Sequence, residues 1–195
     1  MDLPELLSPE RIRCRCDCKS KKRTLQTVAE ILGESLRADT SHDEWASEDE
    51  ENVASSEGAT IRLTKKILKG RGKTEQSPEL PTDMAILDAL ISRERLGSTA
   101  LGHGVGLPHS RLCSVAQPLA ALVTLETGVD YESDDSQPVD LVLGLLVPEH
   151  CNDEHLKILA QLATRFSDPS LRENLRNFSN ENKLYEFVNS LPPLN

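Results

Sequence analysis

The run PVDLVLGLLVP, residues 138–148, is almost entirely aliphatic. A strand with one solvated face alternates apolar and polar residues, whereas a continuous apolar run predicts a strand covered on both faces. A second candidate strand, PLAALVTLE at 118–126, lies before it across the acidic connection TGVDYESDDSQ. Helices on both faces of such strands predict an α/β domain with a mixed, mostly parallel sheet flanked by helices.

Four segments show apolar residues at helical spacing. The first begins at Ser20, a candidate N-cap, and the second begins at Thr82 or Asp83 and ends at Gly97. The last two cover 153–168 and 181–191, and Pro169 restarts the chain between them. The glycine-rich segment from Ser98 to Leu112 is interpreted as a loop.

The composition changes abruptly after the first helix. Residues 39–57 carry eight acidic residues and no Lys or Arg, and residues 61–73 carry six basic residues. Such blocks bury too little apolar surface to fold alone. We therefore predict one domain formed by residues 10–38 and 81–195, interrupted by a disordered insert at 39–80.

Charge and hydropathy exclude several classes of function. The net charge of −10 argues against a nucleic-acid surface, which needs clustered Lys and Arg. No apolar run approaches the roughly 20 residues that span a bilayer, and no N-terminal signal is evident. We expect a cytoplasmic protein without membrane insertion.

The cysteine run Cys14, Cys16 and Cys18 has two interpretations. One is a metal or redox site, but the second pair of ligands that structural zinc needs is missing. The other, which we favour, is a short extended segment with alternating residues. Neither a metal ion nor a cofactor is expected.

The loop STALGHGVGLPHSRL contains two histidines among three glycines, with a proline before the second histidine. Histidine is a nucleophile or proton carrier near neutral pH. The cations Arg93, Arg95 and Arg111 are near in sequence and suit an anion such as phosphate. Neither a P-loop nor a G-x-S-x-G motif occurs. The residues alone therefore indicate an anion-handling histidine site.

Three stretches make a resemblance specific: SRERLGSTALGHGVGLPHSRL, LETGVDYESDDSQPVDLVLGLLVPE and EHLKILAQLATRF. They resemble the type-2 (fructose/mannitol class) EIIA domains of the bacterial phosphotransferase system, and most of all the nitrogen-regulatory, PtsN-type branch. The family loop reads approximately R-E-x-x-G-S-T-x-x-G-x-G-x-A-x-P-H. The histidine at the x of the G-x-G pair, His103, replaces the Asn of that branch and is expected to be an accessory residue or a decoy acceptor.

The resemblance implies residue roles. The phosphorylated histidine falls on His109, the supporting arginine on Arg93 and the supporting histidine on His155. Ser98, Thr99 and Gly104 would bind phosphate or support the loop. His109 should attack as the neutral imidazole.

The resemblance also implies partners. The donor would be an HPr-like carrier (NPr), and the targets would be regulatory proteins such as potassium-transport regulators or sensor kinases. Apolar residues around the loop, Leu101, Leu107 and Leu112, would face such targets. The protein would be a phosphocarrier and not a free-standing catalyst.

Two alternatives stay open. One is a binding module on the same fold that carries no phosphate, and the other is the EIIA component of a sugar-transporting complex. The presence of carrier and Enzyme I genes in the genome separates the first from a phosphocarrier. A neighbouring permease gene would indicate the second.

Overall fold

The structure, a computed structural model, describes residues 2–43, 80–150 and 152–192. A six-stranded sheet forms its centre, in the order β1-β5-β6-β3-β2, and β4 also pairs with β6. The strands are β1 (Ile12–Cys16), β2 (Ala100–Gly102), β3 (Val105–Gly106), β4 (His109–Leu112), β5 (Leu119–Val129) and β6 (Val139–Pro148). β6 pairs in parallel with β3 and β4 and antiparallel with β5, so the predicted mixed sheet is confirmed.

Helices cover both faces of this sheet. They are α1 (Leu3–Leu6), α2 (Lys21–Asp43), α3 (Asp83–Glu94), α4 (Asn152–Ser167), α5 (Pro169–Asn177) and α6 (Glu181–Asn189). A 3₁₀ turn, Pro9–Arg11, precedes β1. As predicted, Thr82 caps α3, and its hydroxyl accepts a hydrogen bond from the Ala85 N–H.

The sheet divides the apolar core into two layers. One cluster contains residues of α1, α4, α5 and α6, and the other contains residues of α2 and α3. β6 contributes to both clusters and is buried along almost its whole length, as its aliphatic run predicts. Gly144 lets α2 lie directly on β6, because a Cβ there would be 2.1 Å from Val28 Cγ1.

Two local predictions were wrong. The segment from Ser98 to Leu112, interpreted as a loop, contains β2, β3 and β4. These strands have two to four residues, too few for a period of two to be visible in the sequence. The helix α5 was not predicted either, although its start is typical: Pro169 takes the first helical position, after the cap Asp168.

The cysteine run starts in β1, as expected, but its alternation is interrupted. Arg15 has φ +54°, and the register with β5 shifts between Arg13 and Cys16. Because of this extra residue, Cys14 packs against one core cluster and Cys16 packs against the other. Cys18 is a buried member of that second cluster. Burial raises the pKa of the Cys14 thiol to about 11 and raises that of Cys16 as well. Cys14 on one face of the sheet and Cys16 and Cys18 on the other do not converge on one metal ion.

The end of α2 lies beyond the predicted start of the insert. The helix continues to Asp43, whereas the insert was expected to begin at residue 39. Residues 44–79 lie outside the described residues, so the disorder expected there stays a prediction. Among the described residues, none of the helices combines the length and the apolar composition of a membrane span.

Candidate functional site

His109 is the first residue of β4, at an edge of the sheet. Among the described strands, β4 pairs only with β6, and His109 lies opposite Leu145. The buried Pro108 before it accepts a hydrogen bond from the Leu145 N–H through its carbonyl. The backbone of His109 is therefore fixed by its pairing with β6, and its side chain lies between the two helical layers.

Both ring nitrogens of His109 have partners. Nδ1 is 2.8 Å from the Leu107 carbonyl oxygen, and Nε2 is 3.0 Å from Arg93 Nε. A carbonyl only accepts and a guanidinium only donates, so Nδ1 carries the proton and Nε2 presents its lone pair. The arrangement selects one neutral tautomer, with the proton on Nδ1 and the free lone pair of the ring on Nε2.

The surroundings keep His109 neutral. Burial lowers its pKa below the ordinary value, and the charges of Arg93 and Arg111 lower it further. The Leu107 hydrogen bond and the Glu94 charge act in the opposite direction but do not prevail. This direction is in keeping with an attack by neutral imidazole.

His155 approaches His109 from the opposite helical layer. It lies in the first turn of α4, and the two ring centroids are 5.3 Å apart. Its pKa is lowered to about 4, first by burial and then by His109, Arg111 and Arg93. Its Nδ1 is buried without a hydrogen-bond partner among the described residues. At neutral pH it is therefore an uncharged imidazole whose hydrogen-bonding capacity is not fully used.

A cleft of about 370 Å³ opens in front of these groups. It is lined by Arg93, His109, Ser110, Arg111, His155, Leu156 and Leu159. Two guanidinium groups and two neutral imidazoles thus share one cavity. Such a set can neutralise the oxygens of a phosphoryl group and accept it on a ring nitrogen.

Ser98 and Thr99 support the segment before His109 and do not line this cleft. The Ser98 hydroxyl donates to the Tyr131 carbonyl at 2.6 Å. Thr99 is buried, and both its backbone N–H and its hydroxyl donate to the Glu94 carboxylate. The roles predicted for Ser98 and Thr99, in binding phosphate or supporting the loop, stay predictions.

Gly104 shapes the turn between β2 and β3. Its φ is +77°, and a Cβ there would be 2.6 Å from an Arg176 guanidinium nitrogen. Arg176 is paired with Asp140 and donates to the His103 carbonyl. The glycine is thus required for this turn and lies outside the cleft.

His103 is exposed in the same turn, also with a positive φ of +54°. Its N–H donates to the Asp135 carboxylate, whose pKa is lowered to about 2 by hydrogen bonds from Ser133, His103 and Gln137. His103 does not line the cleft that contains His109. Its role as an accessory residue or acceptor stays a prediction.

Arg111, one of the three cations that the sequence places near the anion site, lines the cleft, although the resemblance gave it no role. It lies two residues after His109 in β4, so the two side chains share one face of the strand. The sequence analysis did not use this alternation because it interpreted the segment as a loop.

The apolar residues predicted around the loop are only partly exposed. Leu101 is exposed and Leu112 is half-buried, but Leu107 belongs to the core, so its place on the surface was wrong. Leu156, at the cleft, is 63% exposed, and Leu96, just after α3, is 85% exposed.

Comparison with known proteins identifies the family. The sequence profile described as phosphoenolpyruvate-dependent sugar phosphotransferase system, EIIA 2, matches residues 5–191. The chain belongs to this family. Its glycine-rich segment, proline and His109 are thus set in an EIIA domain, as the resemblance implied.

Individual relatives confirm the resemblance to the nitrogen-regulatory branch of EIIA proteins. A nitrogen regulatory protein of Pseudomonas aeruginosa is 40% identical over 103 residues, 53% of this chain and 67% of that protein. One from Bradyrhizobium diazoefficiens is 36% identical over 141 residues, 72% of this chain and 86% of that protein. The crystal structure of nitrogen regulatory protein IIA-Ntr from Neisseria meningitidis superposes with a TM-score of 0.68 at 27% identity, over 95% of this chain and 98% of that one.

Proposed function

We propose that this EIIA protein is a phosphocarrier of the nitrogen-regulatory phosphotransferase system that accepts a phosphoryl group on Nε2 of His109. The observation that carries the proposal is the pair of contacts on the His109 ring. The Leu107 carbonyl holds the proton on Nδ1, and the opposite nitrogen, Nε2, faces a guanidinium. The donor would be the phosphohistidine of an HPr-like carrier (NPr).

The transfer step follows from this tautomer. The Nε2 lone pair attacks phosphorus in line, and the bond between phosphorus and the donor's ring nitrogen breaks. The donor ring keeps that electron pair and leaves as neutral imidazole when its other nitrogen carries a proton. The His109 ring keeps its proton on Nδ1 throughout, and Nδ1 donates to the Leu107 carbonyl, so the ring stays hydrogen-bonded as positive charge develops on it.

Arg93 must change its contact during the step. Its Nε now donates to the nitrogen that would form the new bond, and a terminal nitrogen donates to the Gly97 carbonyl. Bond formation at Nε2 releases the Nε–H, which can then donate to a phosphoryl oxygen. Arg111 and the neutral His155 line the same cleft and would complete the stabilisation of the oxygens.

The phosphorylation state would control regulatory targets such as potassium-transport regulators or sensor kinases. A phosphoryl group adds nearly two negative charges at neutral pH. Leu156 is exposed beside the acceptor, so the added charge would disfavour an apolar partner surface there. The proposal includes the cytoplasmic location that the sequence analysis expects.

Intact-mass measurement tests the function. The protein is incubated with phosphoenolpyruvate, Enzyme I and the HPr-like carrier, with His109→Ala and His103→Ala as paired variants. We expect a gain of one acid-labile phosphoryl group in the wild type and in His103→Ala, and none in His109→Ala. A gain that survives in His109→Ala would refute the acceptor. No gain with an active cognate carrier would refute the phosphocarrier and favour a binding module.

A further inference from the structure

Glu94 has contacts that the transfer step does not use. Its side chain is 7% exposed, and its carboxylate is 2.7 Å from Lys21 Nζ at the start of α2. The same carboxylate accepts hydrogen bonds from the Thr99 N–H, at 3.1 Å, and from the Thr99 hydroxyl. A buried carboxylate with three donors is held in one place.

From Thr99 the hydrogen bonds continue to the acceptor ring. The Thr99 carbonyl accepts from the Leu107 N–H at 2.9 Å, and the Leu107 carbonyl accepts from Nδ1 of His109 at 2.8 Å. A continuous chain thus connects Lys21, Glu94, Thr99, Leu107 and His109.

Glu94 is also next to the residue that contacts the other ring nitrogen. It follows Arg93 in the last turn of α3, and Arg93 Nε donates to His109 Nε2. The Glu94 side chain joins this end of α3 to α2 through Lys21 and to Thr99. One buried carboxylate is therefore connected to both groups that contact the His109 ring, to the Leu107 carbonyl through Thr99 and to Arg93 through the chain.

We propose that Glu94 is a positioning residue, with Lys21 as its counter-charge, that holds His109 in the tautomer with the proton on Nδ1. It contacts neither the ring nor the phosphoryl group and acts through Thr99 and Arg93. Its effect on transfer rests on the proposed function, whereas its effect on the ring does not.

The test compares Glu94→Gln with Glu132→Gln. Glutamine keeps the shape of Glu94, but it loses the charge opposite Lys21 and one acceptor for Thr99. Glu132 also lies near Lys21, at 3.4 Å, but it is 84% exposed, so it is a matched control for the loss of one carboxylate. Glu94→Asp keeps the charge and shortens the reach to Thr99.

The first measurement is the protonation pattern of the His109 ring nitrogens, by long-range ¹H–¹⁵N NMR on the unphosphorylated protein. We expect a single Nδ1–H tautomer in the wild type and in Glu132→Gln, and a mixture in Glu94→Gln and Glu94→Asp. Folded Glu94 variants with the wild-type tautomer would overturn the proposal. If Glu94→Gln does not fold, the folded Glu94→Asp protein decides.

The second measurement is the single-turnover rate of transfer from the phosphorylated carrier. We expect about a tenfold lower rate in the Glu94 variants, with carrier affinity unchanged. An unchanged rate in a folded variant would also overturn the proposal. Failure of the carrier to phosphorylate even the wild type would refute the proposed function alone, because the NMR result does not depend on transfer.

Discussion

Arg93 Nε and His109 Nε2 are 3.0 Å apart, so the nitrogen that would accept the phosphoryl group already has a cationic donor. A lone pair that accepts from a guanidinium is not protonated by solvent while the contact lasts. The contact therefore keeps Nε2 unprotonated until Arg93 changes its contact, and the guanidinium would then be beside the phosphoryl oxygens.

Arg93→Lys should lower the rate of phosphoryl transfer by about tenfold or more. Lysine keeps the charge but loses the planar fork that contacts Nε2 and the Gly97 carbonyl together. Single-turnover transfer from the phosphorylated carrier measures this. Arg95→Lys, at the exposed end of the same helix, is the control and should transfer at the wild-type rate. Equal rates in the two variants would contradict the role of Arg93.

His155 should make the fold acid-sensitive. Its pKa is about 4 in the fold and about 6.5 in the unfolded chain, which therefore takes up the proton first as the pH falls. The stabilisation is complete above pH 6.5 and declines toward pH 4, by up to about 3 kcal/mol. Urea unfolding at several pH values, for wild type and His155→Asn, gives this difference. The exposed His150→Asn should follow the wild type, and a His155→Asn curve parallel to the wild type would refute the assignment.

Thr99→Val should destabilise the fold by about 1–2 kcal/mol, because a buried carboxylate oxygen of Glu94 loses its donor. The matched change Thr164→Val removes an exposed hydroxyl that bonds only within its own helix, to the Ala160 carbonyl. Denaturant midpoints measure both variants. Equal losses of stability would show that the hydrogen bond from Thr99 to Glu94 stabilises the fold no more than the exposed one of Thr164.

Gly104→Ala should cost about 1–3 kcal/mol, since a Cβ at φ +77° would press on Arg176 and Asp140. Gly97 also has a positive φ, but a Cβ there meets nothing within 4 Å. Thermal unfolding should therefore show a larger loss for Gly104→Ala than for Gly97→Ala. The reverse order would mean that the Arg176 and Asp140 side chains move aside freely.

The sequence predicted the long elements well because their signals are physical and local. The aliphatic run of β6 and the cap at Thr82 report burial and hydrogen bonding directly. The strands β2 to β4 were missed because strands of two to four residues are defined by their partners. β3 and β4 pair with β6, in which Leu141 lies opposite Val105 and Leu145 lies opposite His109, and β2 pairs with β3.

In the site, too, local features of the sequence were predictive and contacts between distant residues were not. His109 was predicted from the glycines and proline around it, and Arg93 and His155 from family resemblance, and the structure brings the three together. Glu94 was not singled out, because its partners Lys21 and Thr99 are distant in sequence or belong to another element. The bulge at Arg15 places Cys14 and Cys16 on opposite faces of the sheet, and an arginine at that position does not predict a bulge.

The position of His109 between the two helical layers has a consequence for how the protein matures. Arg93 comes from one layer and His155 from the other, while the histidine itself belongs to the strand between them. A chain with only one layer packed would present the acceptor without one of its neighbours. Under the proposed function, competence for phosphorylation would thus require both helical layers to be packed on the sheet.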